Sequence, residues 1–127
     1  MPAPRPVVCF VDDDDSSRES LDGLLRSAGF EAHAFTSAAT FLDWDARKPT
    51  SCLISDFVMN PMNGAELQQA LAVRGRSYPI IFVTAFADRE LQERLLAKGA
   101  VRVLSKPVDA EVLIELIERS IRERLGP

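Results

Sequence analysis

Short apolar runs alternate with stretches whose apolar residues recur at helical spacing. Val7-Val8-Cys9-Phe10-Val11 is unbroken and reads as a strand covered on both faces. Residues 17–28 follow with Leu21, Leu24, Leu25 and Ala28 on one helical face, and Gly29 closes that helix. Residues 31–35 form a weaker second strand, and Ser37 is placed to cap a helix running to about Arg47. Residues 51–55 make the third strand, and 64–74 the third helix. Ile80-Ile81-Phe82-Val83-Thr84 is the fourth strand, 89–98 the fourth helix and 101–104 the fifth strand. Asp109 then caps a final helix with Val112, Leu113, Leu116, Ile117 and Ile121 on one face.

Strict alternation of strand and helix predicts an α/β fold. It is a five-stranded parallel sheet with right-handed crossovers and helices on both faces. The apolar character of strands 1, 3, 4 and 5 agrees with coverage on both sides. The 127 residues suit one domain, 1–127, with its core at about 7–125. An apolar fraction of 46% is enough to offset the entropy of ordering the chain. The longest apolar runs fall far below the roughly 20 residues that span a bilayer, and no secretory signal is visible. A net charge of −4 disfavours a nucleic-acid-binding face. Cys9 and Cys52 are too few for a disulfide framework and lie within apolar runs, so they read as small buried hydrophobes in a reducing, cytoplasmic setting.

In parallel α/β sheets the ligand site lies beyond the carboxyl ends of the strands, where strand order reverses. Strand 1 runs into Asp12-Asp13-Asp14-Asp15, strand 3 into Asp56, strand 4 ends in Thr84 and strand 5 runs into Lys106-Pro107. Clustered carboxylates repel one another unless a cation intervenes. Mg²⁺, which takes oxygen ligands, would relieve that repulsion. A lysine can neutralise a phosphoryl group as a point charge, and a threonine hydroxyl can donate to it. The set suits a phosphoryl group carried on a carboxylate, with Asp56 as nucleophile.

The stretches Val11-Asp12-Asp13-Asp14, Ser55-Asp56-Phe57-Val58-Met59, Met62-Asn63-Gly64, Val83-Thr84-Ala85 and Lys106-Pro107 resemble the receiver domain of two-component response regulators, FixJ-type receivers above all. The resemblance covers about residues 7–125 and implies a (βα)5 sandwich of flavodoxin-like, CheY-like topology. It implies that Asp56 accepts a phosphoryl group from a histidine kinase or a histidine phosphotransfer protein. Mg²⁺ would be held by Asp13 and Asp56 directly, by Asp12 through water and by the main-chain carbonyl of Val58. Thr84 and Lys106 would contact the phosphoryl group. Thr84 would report its presence to the face made by the fourth helix, fifth strand and fifth helix, where a homodimer would form. The exposed face of the first helix, with Arg18, Leu21, Asp22 and Leu25, would dock the donor. Such a domain is a signalling phosphoacceptor, not an enzyme acting on others, and the Lys106–Pro107 bond is expected to be cis. With the fifth helix ending at about Leu125, no output domain is expected in this chain.

Three departures from the family pattern stand out. Val103 occupies a position usually held by Tyr or Phe, so the swinging aromatic of the usual switch is missing. Val58 and Phe86 are apolar where polar groups often govern phosphoaspartate hydrolysis, which predicts a long-lived phosphoaspartate. Met59-Asn60-Pro61 shifts the usual proline by one place and predicts an altered loop after Asp56.

Other readings are weaker. Asp14 and Asp15 suit helix capping or solvent better than ligation. His33 reads as a surface residue, and Phe41 and Trp44 as packing or a partly exposed anchor. A calcium loop starting at Asp12 lacks its glycine and glutamate, having Ser17 and Gly23 there. A flavin carrier would need a phosphate-friendly loop after strand 1, where this chain has four aspartates. An aspartate-nucleophile phosphatase would need an acid at Val58. A receiver-like interaction module that works without phosphorylation is the remaining alternative.

Overall fold

The computed structural model describes residues 5–47, 50–85 and 87–125. In chain order its elements are β1 (Val7–Val11), α1 (Asp15–Ser27), β2 (Glu31–Phe35), α2 (Ala38–Asp45), β3 (Cys52–Asp56), α3 (Gly64–Val73), β4 (Ile80–Thr84), α4 (Arg89–Ala97), β5 (Arg102–Ser105) and α5 (Ala110–Leu125). The sheet is wholly parallel with strand order β2-β1-β3-β4-β5. The order reverses at β1, so the loops after β1 and β3 open onto a shared crevice.

Side-chain alternation along the strands divides the core between the two faces. Val8, Phe10, Ile54, Ile81 and Val83 pack with Leu25 of α1 and with Leu113, Leu116 and Ile117 of α5. Cys9, Val11 and Leu53 pack on the other face with Phe41 and Leu42 of α2 and Leu67 and Leu71 of α3. Phe82 and Val103 extend that face beneath Leu91 and Leu95 of α4. Both cysteines are buried, and burial pushes the Cys52 thiol up to about 12.

Three expectations need correction. Val112 is 45% exposed, because the buried stripe of α5 runs through Leu113, Leu116, Ile117 and Ser120 and leaves Val112 at its margin. The fifth strand lies one residue later than expected, with Val103 packed on the α4 face and Leu104 partly buried on the opposite face. It is the sheet edge, with Arg102 and Ser105 exposed. At the opposite edge, His33 is half-buried rather than a plain surface residue. It bonds Glu31 at 2.7 Å and packs on Trp44 with ring centroids 4.9 Å apart. Phe41 is fully buried and Trp44 partly so, which makes both packing residues.

Candidate functional site

Local capping sets the strand-end loops. Asp14 is the N-cap of α1, its Oδ2 accepting the Ser17 N–H at 2.8 Å, and Ser17 holds its carboxyl below the usual range. Asp15 lies in the first turn and pairs with Arg18. Asp14 and Asp15 thus serve the helix, leaving Asp12 and Asp13 in the turn that joins it to β1. After β3, the Gly64 N–H donates to the Phe57 carbonyl at 2.8 Å. A Cβ at Gly64 would lie 2.8 Å from the Phe82 ring and 3.0 Å from the Phe57 Cα, so only glycine lets α3 start this close to the loop carrying Asp56.

These loops bring Asp12, Asp13 and Asp56 together, with one carboxylate oxygen from each lying within 4.8 Å of the others. Asp12 and Asp56 are buried and Asp13 is exposed. Asp12 is pinned at four points. Its N–H donates to the Phe35 carbonyl (3.1 Å), and its Oδ1 accepts the Asp14 N–H (2.9 Å). Its carbonyl accepts from Arg18 Nη1 (3.0 Å), and its Oδ2 accepts from Lys106 Nζ (3.2 Å). Lys106 Nζ also donates to Asp56 Oδ2 at 2.9 Å, and the Val58 N–H donates to Asp56 Oδ1 at 3.2 Å. Thr84 is fully buried at the end of β4, and its carbonyl accepts the Lys106 N–H at 2.9 Å. The Lys106–Pro107 bond is cis, as expected, and so is Asn60–Pro61.

Electrostatics follow from this crowding. Burial pushes the Asp56 carboxyl above the usual aspartate range, and Asp12 adds to the rise. Lys106 and the Val58 N–H oppose it without cancelling it. Burial alone would lower Lys106, but its bonds and charge contacts with Asp56 and Asp12 outweigh that, so the ammonium is held above its ordinary value. Lys106 is thus shared by the Asp12 and Asp56 carboxylates, with Asp13 a third acid of the same cluster. All the clustered donors are hard oxygens and they carry excess negative charge, so they fit a small divalent cation such as Mg²⁺.

Of the expected site residues, the structure brings Asp12, Asp13, Asp56 and Lys106 together, with Thr84 at the end of the neighbouring strand β4. Val58 is 57% exposed and meets the cluster through its main-chain N–H on Asp56. Phe86 lies outside the described residues. Val103 is buried against Leu91 and Leu95 of α4. On the face of α1 expected to meet the donor, Leu25 is core, Leu21 is half-buried, and Arg18 is turned onto Asp12. Sequence reading missed that turn, since the Asp15–Arg18 spacing signals only a local pair. It also missed a cavity of about 560 Å³ between α1 and the start of α5, with Leu21, Leu24, Val108 and Leu113 in its wall and Lys106 and Asp56 at one end.

Residues 8–118 match the family model of the response regulator receiver domain, and the chain belongs to that family. It is a FixJ-type receiver of two-component systems, and receiver domains are signalling phosphoacceptors. It is 37% identical over 115 residues to the transcriptional regulatory protein TdiR of Thauera aromatica, covering 91% of this chain and 51% of TdiR. It is 36% identical over 121 residues to the transcriptional regulatory protein FixJ of Azorhizobium caulinodans, covering 95% of this chain and 57% of that protein. The crystal structure of full-length FixJ from B. japonicum superimposes with a TM-score of 0.90 at 32% identity, covering 98% of this chain and 61% of that one. The chain therefore spans about half the length of the curated relatives it matches. Among the described residues no helix is long and apolar enough to cross a membrane.

Proposed function

We propose that Asp56 is the phosphoacceptor and that Thr84 and Lys106 receive the phosphoryl group it carries. The observation behind this reading is the Lys106 ammonium held between the Asp56 and Asp12 carboxylates at the open end of the sheet. A carboxylate oxygen of Asp56 attacks the phosphorus of a phosphohistidine. The P–N bond breaks, its electron pair leaves with the imidazole, and an acyl phosphate remains on Asp56. Lys106 then exchanges a carboxylate partner for a phosphoryl oxygen, and the Thr84 hydroxyl donates to another.

Asp12, Asp13 and Asp56, with the Val58 carbonyl, would hold Mg²⁺. Bound there, the ion would offset negative charge on the phosphoryl oxygens. Turnover is confined to the domain's own phosphorylation and dephosphorylation. The donor is a histidine kinase or a histidine phosphotransfer protein, which sets the reaction in the cytoplasm. The α4-β5-α5 face, with Leu96, Val101 and Val112 exposed, is where the phosphorylated form pairs with a second copy or another protein. With Val103 in place of an aromatic, the signal passes through α4 and the loop before it. No nucleic-acid contact is assigned to this domain.

The test is intact-protein mass spectrometry after incubation with acetyl phosphate and Mg²⁺. A gain of one phosphoryl mass is expected in the wild type and in neither the Asp56→Asn variant nor the metal-free sample. A wild type that gains nothing, from acetyl phosphate or from a panel of phosphorylated histidine kinases, would overturn the reading.

A further inference from the structure

Arg18 sits on the first turn of α1, a position where long cationic side chains usually extend into solvent. Its side chain is instead only 18% exposed, while that of its partner Asp15 is 87% exposed. One arm of the guanidinium, Nη1, donates to the Asp12 carbonyl at 3.0 Å, and the other, Nη2, pairs with Asp15. The Asp12 carbonyl belongs to the peptide linking Asp12 to Asp13, the two acids that β1 delivers to the cluster. The orientation of that peptide governs where the Asp13 carboxylate points. Asp13 is exposed, so no packing fixes it in place of that hydrogen bond.

We propose that Arg18 is a positioning residue for the cation site: its guanidinium bridges Asp15 and the Asp12 carbonyl, and so fixes the peptide from which Asp13 reaches the metal. The inference rests on the phosphoacceptor reading and adds to it a residue that touches neither phosphoryl group nor metal. Groups that orient ligands without binding the ion themselves commonly matter for affinity. Arginine suits the task because its planar fork can hold two acceptors at once, which a lysine ammonium on a flexible stem cannot do in the same geometry.

Positioning and simple charge make opposite predictions. Arg18 is a cation beside an acidic cluster. If only its charge mattered, removing it would strengthen attraction for a divalent cation. If it positions Asp12 and Asp13, removing it weakens binding. The experiment is calorimetric titration of the full chain with MgCl₂ at low ionic strength, for the wild type, Arg18→Ala, Arg18→Lys and Asp15→Asn. Metal-free thermal melts report folding. We expect Arg18→Ala and Arg18→Lys to bind Mg²⁺ about tenfold more weakly, and Asp15→Asn to lose less because the Asp12 contact survives. Arg18→Lys decides the matter if Arg18→Ala does not fold. Wild-type binding with equal or tighter binding by the Arg18 variants overturns the inference alone. A wild type that takes up no Mg²⁺ overturns the metal reading as well.

Discussion

Two buried carboxylates in this domain are held in opposite ways. Asp45, at the last turn of α2, has a side chain only 2% exposed. Arg76 Nε donates to it at 2.7 Å, the Tyr78 hydroxyl donates at 2.9 Å, and Arg74 Nη1 lies 3.8 Å away. Arg74 also donates to the Leu42 carbonyl at 2.7 Å. Burial, then Asp45 itself, raise the Tyr78 phenol, so it remains a donor; Asp45 likewise raises Arg76. A carboxylate at a helix C-terminus opposes the helix dipole, and the two guanidiniums offset that. The result is a closed clamp between α2 and the segment leading into β4. At Asp56, by contrast, two of three clustered carboxylates share one lysine, and burial leaves the acid raised. A carboxylate surrounded by cations and donors marks structure; a cluster with surplus carboxylates marks a place that needs something added from outside.

Breaking the Asp45 clamp has the largest expected effect. Asp45→Ala leaves two guanidiniums and a phenol without their acceptor and should cost about 2–3 kcal/mol, below the fully buried case because both arginines reach solvent. Denaturant unfolding measures it. Tyr78→Phe removes one donor to a buried carboxylate and should cost about 1 kcal/mol by the same assay.

The cluster at Asp56 should respond with the opposite sign. Without metal, Asp56→Asn removes a charge from a crowded site and should raise the thermal midpoint at neutral pH. The folded pKa of Asp56 lies above its unfolded value, so its contribution to stability is complete below the ordinary aspartate range and is lost as pH rises through the raised folded value. The gap between Asp56→Asn and wild type should therefore close on acidification. Mg²⁺ should raise the wild-type midpoint more than that of Asp56→Asn, and a chelator should erase the difference. A destabilised Asp56→Asn would mean the cluster carries no such surplus.

The smallest effect is expected away from both clusters. Gln68 donates to the Leu95 carbonyl at 3.2 Å between α3 and α4, but its buried Oε1 has no partner among the described residues. Gln68→Met gives up that bond and also removes the unsatisfied oxygen, so stability should change by less than about 1 kcal/mol.

Most of the fold was legible because strands and helices are written locally. Apolar runs gave β1, β3 and β4, Gly29 closed α1, and Asp109 capped α5, its carboxylate accepting the Val112 N–H at 3.1 Å. The site residues were legible for a related reason: a parallel sheet sends the residues after its strands to one edge, so Asp12, Asp56, Thr84 and Lys106 declared themselves by position. Val112 and the start of β5 were misjudged because hydrophobicity alone does not say where a buried stripe is centred or at which residue a strand begins to pair.

The sequence by itself determined the five β-α units, the acidic turn and the lysine that faces it. Only the tertiary structure decided which charges meet. Asp45 finds Arg76 and Tyr78 across 31 and 33 residues, Lys106 reaches Asp12 across 94, and Arg18 chooses a backbone carbonyl over water. Periodicity and capping act within a few residues of each other. Charge pairing depends on distances in space that exist only once the sheet has brought its strand ends together.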